Sequence, residues 1–132
     1  MSDTLPTKGA RVFLVFCAVG LVPIALGYGA KPSESLDALF GITVDTINLT
    51  HIMRAIMGLY LAMAALWIWG AFNQQLTSPA LVSCAVFMLG LAAGRILSFI
   101  VDGMPHWLLI IYAALEAVLG LIAIAIYRRR AV

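Results

Sequence analysis

Three ionisable residues, Arg54, Arg95 and Glu116, stand inside long apolar runs that a bilayer-facing sequence should keep free of charge. A charge at the centre of a membrane span costs at least about 2.5–3.5 kcal/mol, so it is retained only against a partner or for a task. A glutamate among arginines supports three kinds of chemistry. It can form an ion pair that fastens helices together, it can exchange a proton, or it can leave one guanidinium over for a ligand. An unmatched guanidinium is a bidentate donor, and it suits a lipid head group, a fatty-acid carboxylate or a quinone carbonyl. His51, Ser98 and Tyr112 share helical faces with these charges and complete the candidate cluster. The charges do not balance, because two arginines face one deep acid and His51 can add to the positive side. Asp102, two turns beyond Arg95, either compensates that arginine or is solvated.

The elements that must position these groups follow from composition. Of 132 residues, 64% are hydrophobic and 11% charged, against roughly 45–50% and 25% in soluble domains. A soluble domain of this size needs far more polar surface. A cytosolic enzyme, a disulfide-stapled secreted domain, a disordered tail and a nucleic-acid binder are therefore excluded, and the net charge of +2 is too small for a polyanion partner. A bilayer core of about 30 Å takes about 20 apolar residues. Four runs reach that length, at about residues 12–29, 47–72, 80–101 and 107–127. They lack the strict alternation of barrel strands. The expectation is one integral membrane domain over 1–132, an all-α four-helix transmembrane bundle. A signal peptide is the competing reading of the first run, but the run is long and its small-residue cleavage sites are weak. It is read as a spanning helix, bent at Pro23.

Lys8 and Arg11 precede the first span and Arg128, Arg129 and Arg130 follow the fourth, which puts both termini in the cytoplasm by the positive-inside rule. Asn73 to Pro79 is then a short cytoplasmic turn, and Asp102 to His106 an external one. In the long external loop, Pro32, Glu34 and Gly41 mark a short helix whose Leu36, Leu39 and Phe40 form an apolar face. It either lies on the membrane surface as a cap or closes over a pocket as a lid.

At 1.5 Å per residue, Arg54 and Arg95 lie about 10 Å from the external ends of their spans and Glu116 about 15 Å. His51, Arg54, Gly58, Ala62 and Ala65 follow helical spacing in the second span. Arg95, Ser98 and Asp102 do so in the third beside Gly90-x-x-x-Gly94, and Tyr112, Glu116, Gly120 and Ala123 in the fourth. Small residues mark close helix approach in membranes. One cluster joining spans two, three and four is expected.

Weaker signals are set aside. Cys17 and Cys84 are isolated, without a C-x-x-C arrangement. His51 and His106 have no second ligand at helical spacing, so no metal, haem or other cofactor is implied. The methionines read as packing, and Trp67, Trp69, Trp107 and Tyr127 as interfacial anchors. No phosphate loop, zincin or serine-hydrolase motif is present in the sequence.

The run His51-x-x-Arg54-Ala55-x-x-Gly58-x-Tyr60, then Gly94-Arg95-x-x-Ser98, Asp102-Gly103-x-Pro105 and Tyr112-x-x-x-Glu116 with Gly120, resembles a bacterial family of small four-helix membrane proteins. That family is known only as a domain of unknown function. The resemblance covers about residues 11–128 and implies an inner-membrane protein, with no activity attached. Small multidrug exporters do not fit, since their essential carboxylate is in the first helix. Sterol-isomerase-like proteins do not fit either, because they pair several acids with a tryptophan. The leading expectation is a non-enzymatic accessory subunit or binder of a lipophilic anionic or carbonyl ligand, such as a lipid, fatty acid or quinone, at His51, Arg54, Arg95, Ser98, Tyr112 and Glu116. It would sit in the cell's inner (plasma) membrane, with the bilayer as its first partner and a homodimer or larger complex as further ones. A proton-coupled transporter using Glu116 comes second, and an isomerase-like enzyme using Glu116 and His51 last.

Overall fold

A computed structural model describes residues 6–131; the ends of the expected 1–132 domain, residues 1–5 and 132, lie outside it. The described residues form α1 (Lys8–Gly29), α2 (Pro32–Phe40), α3 (Ile47–Phe72), α4 (Gln74–Val101) and α5 (Trp107–Ala131), with no strand among them. Each long helix starts where a side chain takes up an orphan amide. Thr7 accepts from Ala10 N at 3.4 Å, Thr46 from Leu49 N at 3.1 Å, Asn73 Oδ1 from Gln75 N at 2.9 Å, and His106 Nδ1 from Leu108 N at 3.2 Å. α1, α3, α4 and α5 are each long and apolar enough to cross a membrane. The four expected spans are all present.

Their ends differ from the sequence reading in one instructive place. The expected turn from Asn73 to Pro79 shrinks to Asn73 alone, which is extended (φ −125°, ψ 112°) and caps both neighbours. Pro79 falls in the second turn of α4, where it costs only one carbonyl its partner. The buried Thr77 hydroxyl donates to Gly70 O at 2.8 Å, a carbonyl that the end of α3 leaves open, sharing its proton with Asn73 O at 3.0 Å, which also accepts from Leu76 N. α1 likewise runs on through Pro23.

The expected short helix forms as α2, with Pro32 in its first turn. Gly41 closes it in the left-handed region (φ 66°), where its amide reaches Asp37 O and Leu36 O. Leu36 is buried, while Leu39 stays exposed. Ser35 Oγ donates to Gly27 O at 2.7 Å, and the Phe40 ring meets His106 edge-on at 5.7 Å. α2 therefore folds back against α1 and α3, with Phe40 reaching the turn that precedes α5.

α1 packs along α3, α3 against α4 and α4 against α5, while α1 touches α4 and α5 at only a few positions. The packing stripe is Ala10, Leu14, Cys17, Leu21 and Ala25 on α1, and Tyr60, Ala64, Trp67 and Ala71 on α3. On α4 it is Leu81, Cys84, Met88 and Ala92. All keep three- and four-residue spacing. The thiols of Cys17 and Cys84, isolated in sequence, come together here.

Two expectations about α3 are corrected. The face carrying His51, Arg54, Gly58, Ala62 and Ala65 is exposed, and the opposite, bulkier face does the packing. Trp67 is not an interfacial anchor: it is fully buried, and its indole N–H donates to Ser83 Oγ at 3.1 Å. Trp69, two residues on and so about 200° around the helix, is exposed as expected, as are Trp107 and Tyr127.

α3 has no buried residue before Tyr60, so the core is concentrated at the end of the bundle where Asn73 turns the chain (the hairpin end). At the other end, where α2 lies, a cavity opens between α3 and α4 while α1 stays close against α3. Since lipid is as apolar as the packing stripe, helix association rests on close van der Waals fit. Gly70 provides it at the hairpin end, where a Cβ would collide with Ala80 Cβ and sit 3.0 Å from Leu76 O. Gly29 provides it between α1 and α3, against Met57 and 2.9 Å from Met53 O. Gly70→Ala is thus expected to cost about 1–3 kcal/mol of overpacking. Gly58→Ala, with nothing within 4 Å, gains up to about 1 kcal/mol of helix propensity. Melting midpoints of the two variants in mild detergent should move in opposite directions.

Candidate functional site

Arg95 continues the buried stripe of α4, three residues after Ala92, and Glu116 lies on the inward stripe of α5 between Ala113 and Gly120. Helical periodicity therefore aims both charges into the bundle. They meet as a fork: Arg95 Nε donates to Glu116 Oε2 at 2.7 Å and Nη2 to Oε1 at 2.9 Å, with side chains only 18% and 11% exposed. Gly120, one turn beyond Glu116, lets the helices approach closely enough, since a Cβ there would crowd Leu89 and come within 3.3 Å of its amide. The Arg95 guanidinium also lies 5.8 Å above the Tyr112 ring.

Three expected members stand apart from that pair. Arg54 is about 120° around α3 from the Tyr60 stripe, and His51 about 180°; both are exposed. Arg54 Nη1 instead donates to Gly29 O at 3.2 Å, capping the last turn of α1, where a cation also suits the helix dipole. Ser98 Oγ donates to Asp102 Oδ2 at 2.6 Å, so Asp102 binds a hydroxyl and not Arg95. The expected union of spans two, three and four becomes an ion pair between α4 and α5 with Tyr112 beside it.

Two residues outside the expected cluster join the site, Tyr28 and the Tyr60 of the resemblance run. Tyr28 borders the guanidinium, and Tyr60 meets Tyr28 edge-on at 5.7 Å and Phe87 at 5.0 Å. Trp67 extends this aromatic ladder, 5.6 Å from Phe87. The available signal was a tyrosine deep in a span, far from the interfaces where its hydroxyl is normally satisfied.

Where α3 and α4 separate, a cavity of about 450 Å³ opens between Met53, Ile56 and Tyr60 on one side and Gly90, Gly94 and Arg95 on the other. Tyr28 forms its back, and Pro105 and Leu109 border its α2 end. This volume falls within the range of about 300–1,000 Å³ usual for small-molecule sites. Glu116 takes Nε and Nη2 of Arg95, which leaves Nη1 outside the ion pair. A second, smaller space of about 130 Å³ lies along the α1–α5 seam, lined by Cys17, Met88, Tyr112 and Glu116. Tyr60 and Leu91 border both spaces.

Glu116→Gln removes one half of a buried pair and strands the guanidinium, a loss of about 3–5 kcal/mol. The midpoint of thermal unfolding in detergent should fall accordingly. The apolar double variant Arg95→Met/Glu116→Leu should recover most of it, because it removes both desolvation costs together. Equal midpoints for wild type and Glu116→Gln would mean that the pair does not hold α4 to α5.

The profile of a family described as a domain of unknown function, DUF4345, matches residues 9–127. That stretch takes in Arg95, Glu116 and both cavities. No curated protein and no solved structure matches the chain. The protein thus belongs to the DUF4345 family, carried here on four apolar helices of which two are tied by a single forked ion pair.

Proposed function

We propose that this chain is a small multi-pass protein of a bacterial-type inner (plasma) membrane, both termini cytoplasmic, that binds a lipophilic ligand bearing an oxygen acceptor. The observation that carries the reading is the cavity of about 450 Å³ beside Arg95, apolar along its length and bordered at depth by the guanidinium and two tyrosines. An apolar tail fits between α3 and α4, and an oxygen accepts from the arginine edge that Glu116 leaves open. In this role the protein acts as a carrier of that ligand or as an accessory subunit of a larger membrane assembly, with no chemistry of its own.

Gly94→Leu tests this without touching the ion pair. Gly94 lines the cavity and has nothing within 4 Å of a new Cβ, so the leucine fills the space and raises helix propensity. Native mass spectrometry of protein extracted gently from its membrane should show a bound small molecule on wild type and none on Gly94→Leu, whose thermal stability is equal or higher. Identical bound species on both proteins would refute the cavity as the site.

The two spaces sharing Tyr60 and Leu91, with Arg95 on one and Glu116 on the other, favour a second reading, a proton-coupled transporter. There, Glu116→Gln in proteoliposomes abolishes pH-driven movement of ligand while binding persists; pure binding predicts no such movement in either protein.

A further inference from the structure

We infer that the cavity selects a neutral, ring-bearing carbonyl compound of the quinone type over a lipid carboxylate or phosphate. The inference rests on the ligand-binding reading above and adds the class of ligand.

The first argument is charge. Arg95 is matched atom for atom by Glu116, Nε to Oε2 and Nη2 to Oε1, so the pair is neutral as a unit. The charges nearest to it on α3 and α4 are engaged elsewhere. Arg54 is turned to the carbonyl of Gly29, and Asp102 accepts from Ser98. An anion placed at Arg95 Nη1 would sit beside the Glu116 carboxylate in a poorly screened interior, where like charges repel strongly. It would have to break the fork to be accommodated. A neutral carbonyl needs only one N–H, and Nη1 lies outside the fork, on a guanidinium that the Tyr28 hydroxyl also borders.

The second argument is shape and surface. The wall beside Arg95 is aromatic: Tyr28 and Tyr60 stand edge to face with rings at 89°, and Phe99 lines the same cavity. An electron-poor ring pairs well with tyrosine faces and edges. The phenol hydroxyls can donate to a second carbonyl. Gly90 and Gly94 leave the α4 side of the cavity flat, with open space where side chains would stand. A tail then leaves between α3 and α4.

The test compares two probes with the same ten-carbon chain, a decyl-substituted 1,4-benzoquinone and decanoate, on the full chain in neutral detergent at pH 8. Radiolabelled quinone bound to Gly94→Leu protein is subtracted as partition into the micelle. Saturable quinone binding to wild type, displaced by decanoate only at concentrations about tenfold or more higher, is the expected result. Glu116→Gln, assayed at a temperature where it remains folded, should shift that ratio by about tenfold or more toward decanoate, because its guanidinium is no longer matched. Decanoate binding to wild type as tightly as the quinone would overturn the neutral selection while leaving the cavity a ligand site. An unchanged ratio in Glu116→Gln would overturn it too, since selection would not come from the matched charge. Absence of saturable binding of either probe above the Gly94→Leu background would overturn both this inference and the ligand-binding reading.

Discussion

A guanidinium and a carboxylate among apolar helices must satisfy each other first, with only tyrosine side chains such as Tyr28 and Tyr112 beside them. From that constraint most of the bundle's central geometry follows. Arg95 has to lie on the inward stripe of α4 and Glu116 on that of α5, at heights that match across the helix pair. Gly120 has to be small so that α5 can close on Leu89. Once Glu116 spends both oxygens on Arg95, α4 and α5 behave as one unit, and α1 with α3 forms the other. Buried pairs of this sort add little net stability compared with apolar residues of the same volume, yet are costly to break singly. The pair therefore specifies how α4 and α5 face each other more than it strengthens them.

The two units are pinned at the hairpin end and looser at the other. Gly70 against Ala80, Trp67 bonded to Ser83 and the capped Asn73 leave little freedom there. Toward α2, α1 and α3 still meet closely at Gly29 and Met57 and through Arg54 on Gly29 O, while the cavity separates α3 from α4 and Phe40 reaches across to His106. A wedge results, with its apex in the apolar core and its open side holding the cavity and the ion pair. Arg11 lying 5.1 Å over Phe72 fastens α1 to α3 at the apex end as well.

Much of this was legible in the residues. Four spans, the short helix with its Pro32 start and Gly41 stop, and the depth of Arg95 and Glu116 follow from length, turn chemistry and rise per residue. What failed was the inference from small residues to packing in α3. Gly58, Ala62 and Ala65 form a smooth face that none of the described residues buries, whereas Tyr60 and Trp67 opposite them bury larger surfaces and carry hydroxyl and indole groups that need partners inside. With that face reversed, Arg54 and His51 left the expected cluster. Periodicity gives a helix two candidate faces, and only tertiary contact decides between them. Tyr28 escaped notice for a related reason, since it lies near a span's end and reads as interfacial until α3 brings Tyr60 to it.

The partners of the ion pair are 21 residues apart in the chain, which gives the fork a history in time. A ribosome delivers Arg95 before Glu116, and at about 5–20 residues per second the arginine waits roughly 1–4 s for its carboxylate. During that interval α3 and α4, joined through one residue, are already made while the carboxylate that pairs with Arg95 is not. The arrival of α5 ends the wait. Chain order thus makes α5 the helix that completes the charge match for α4.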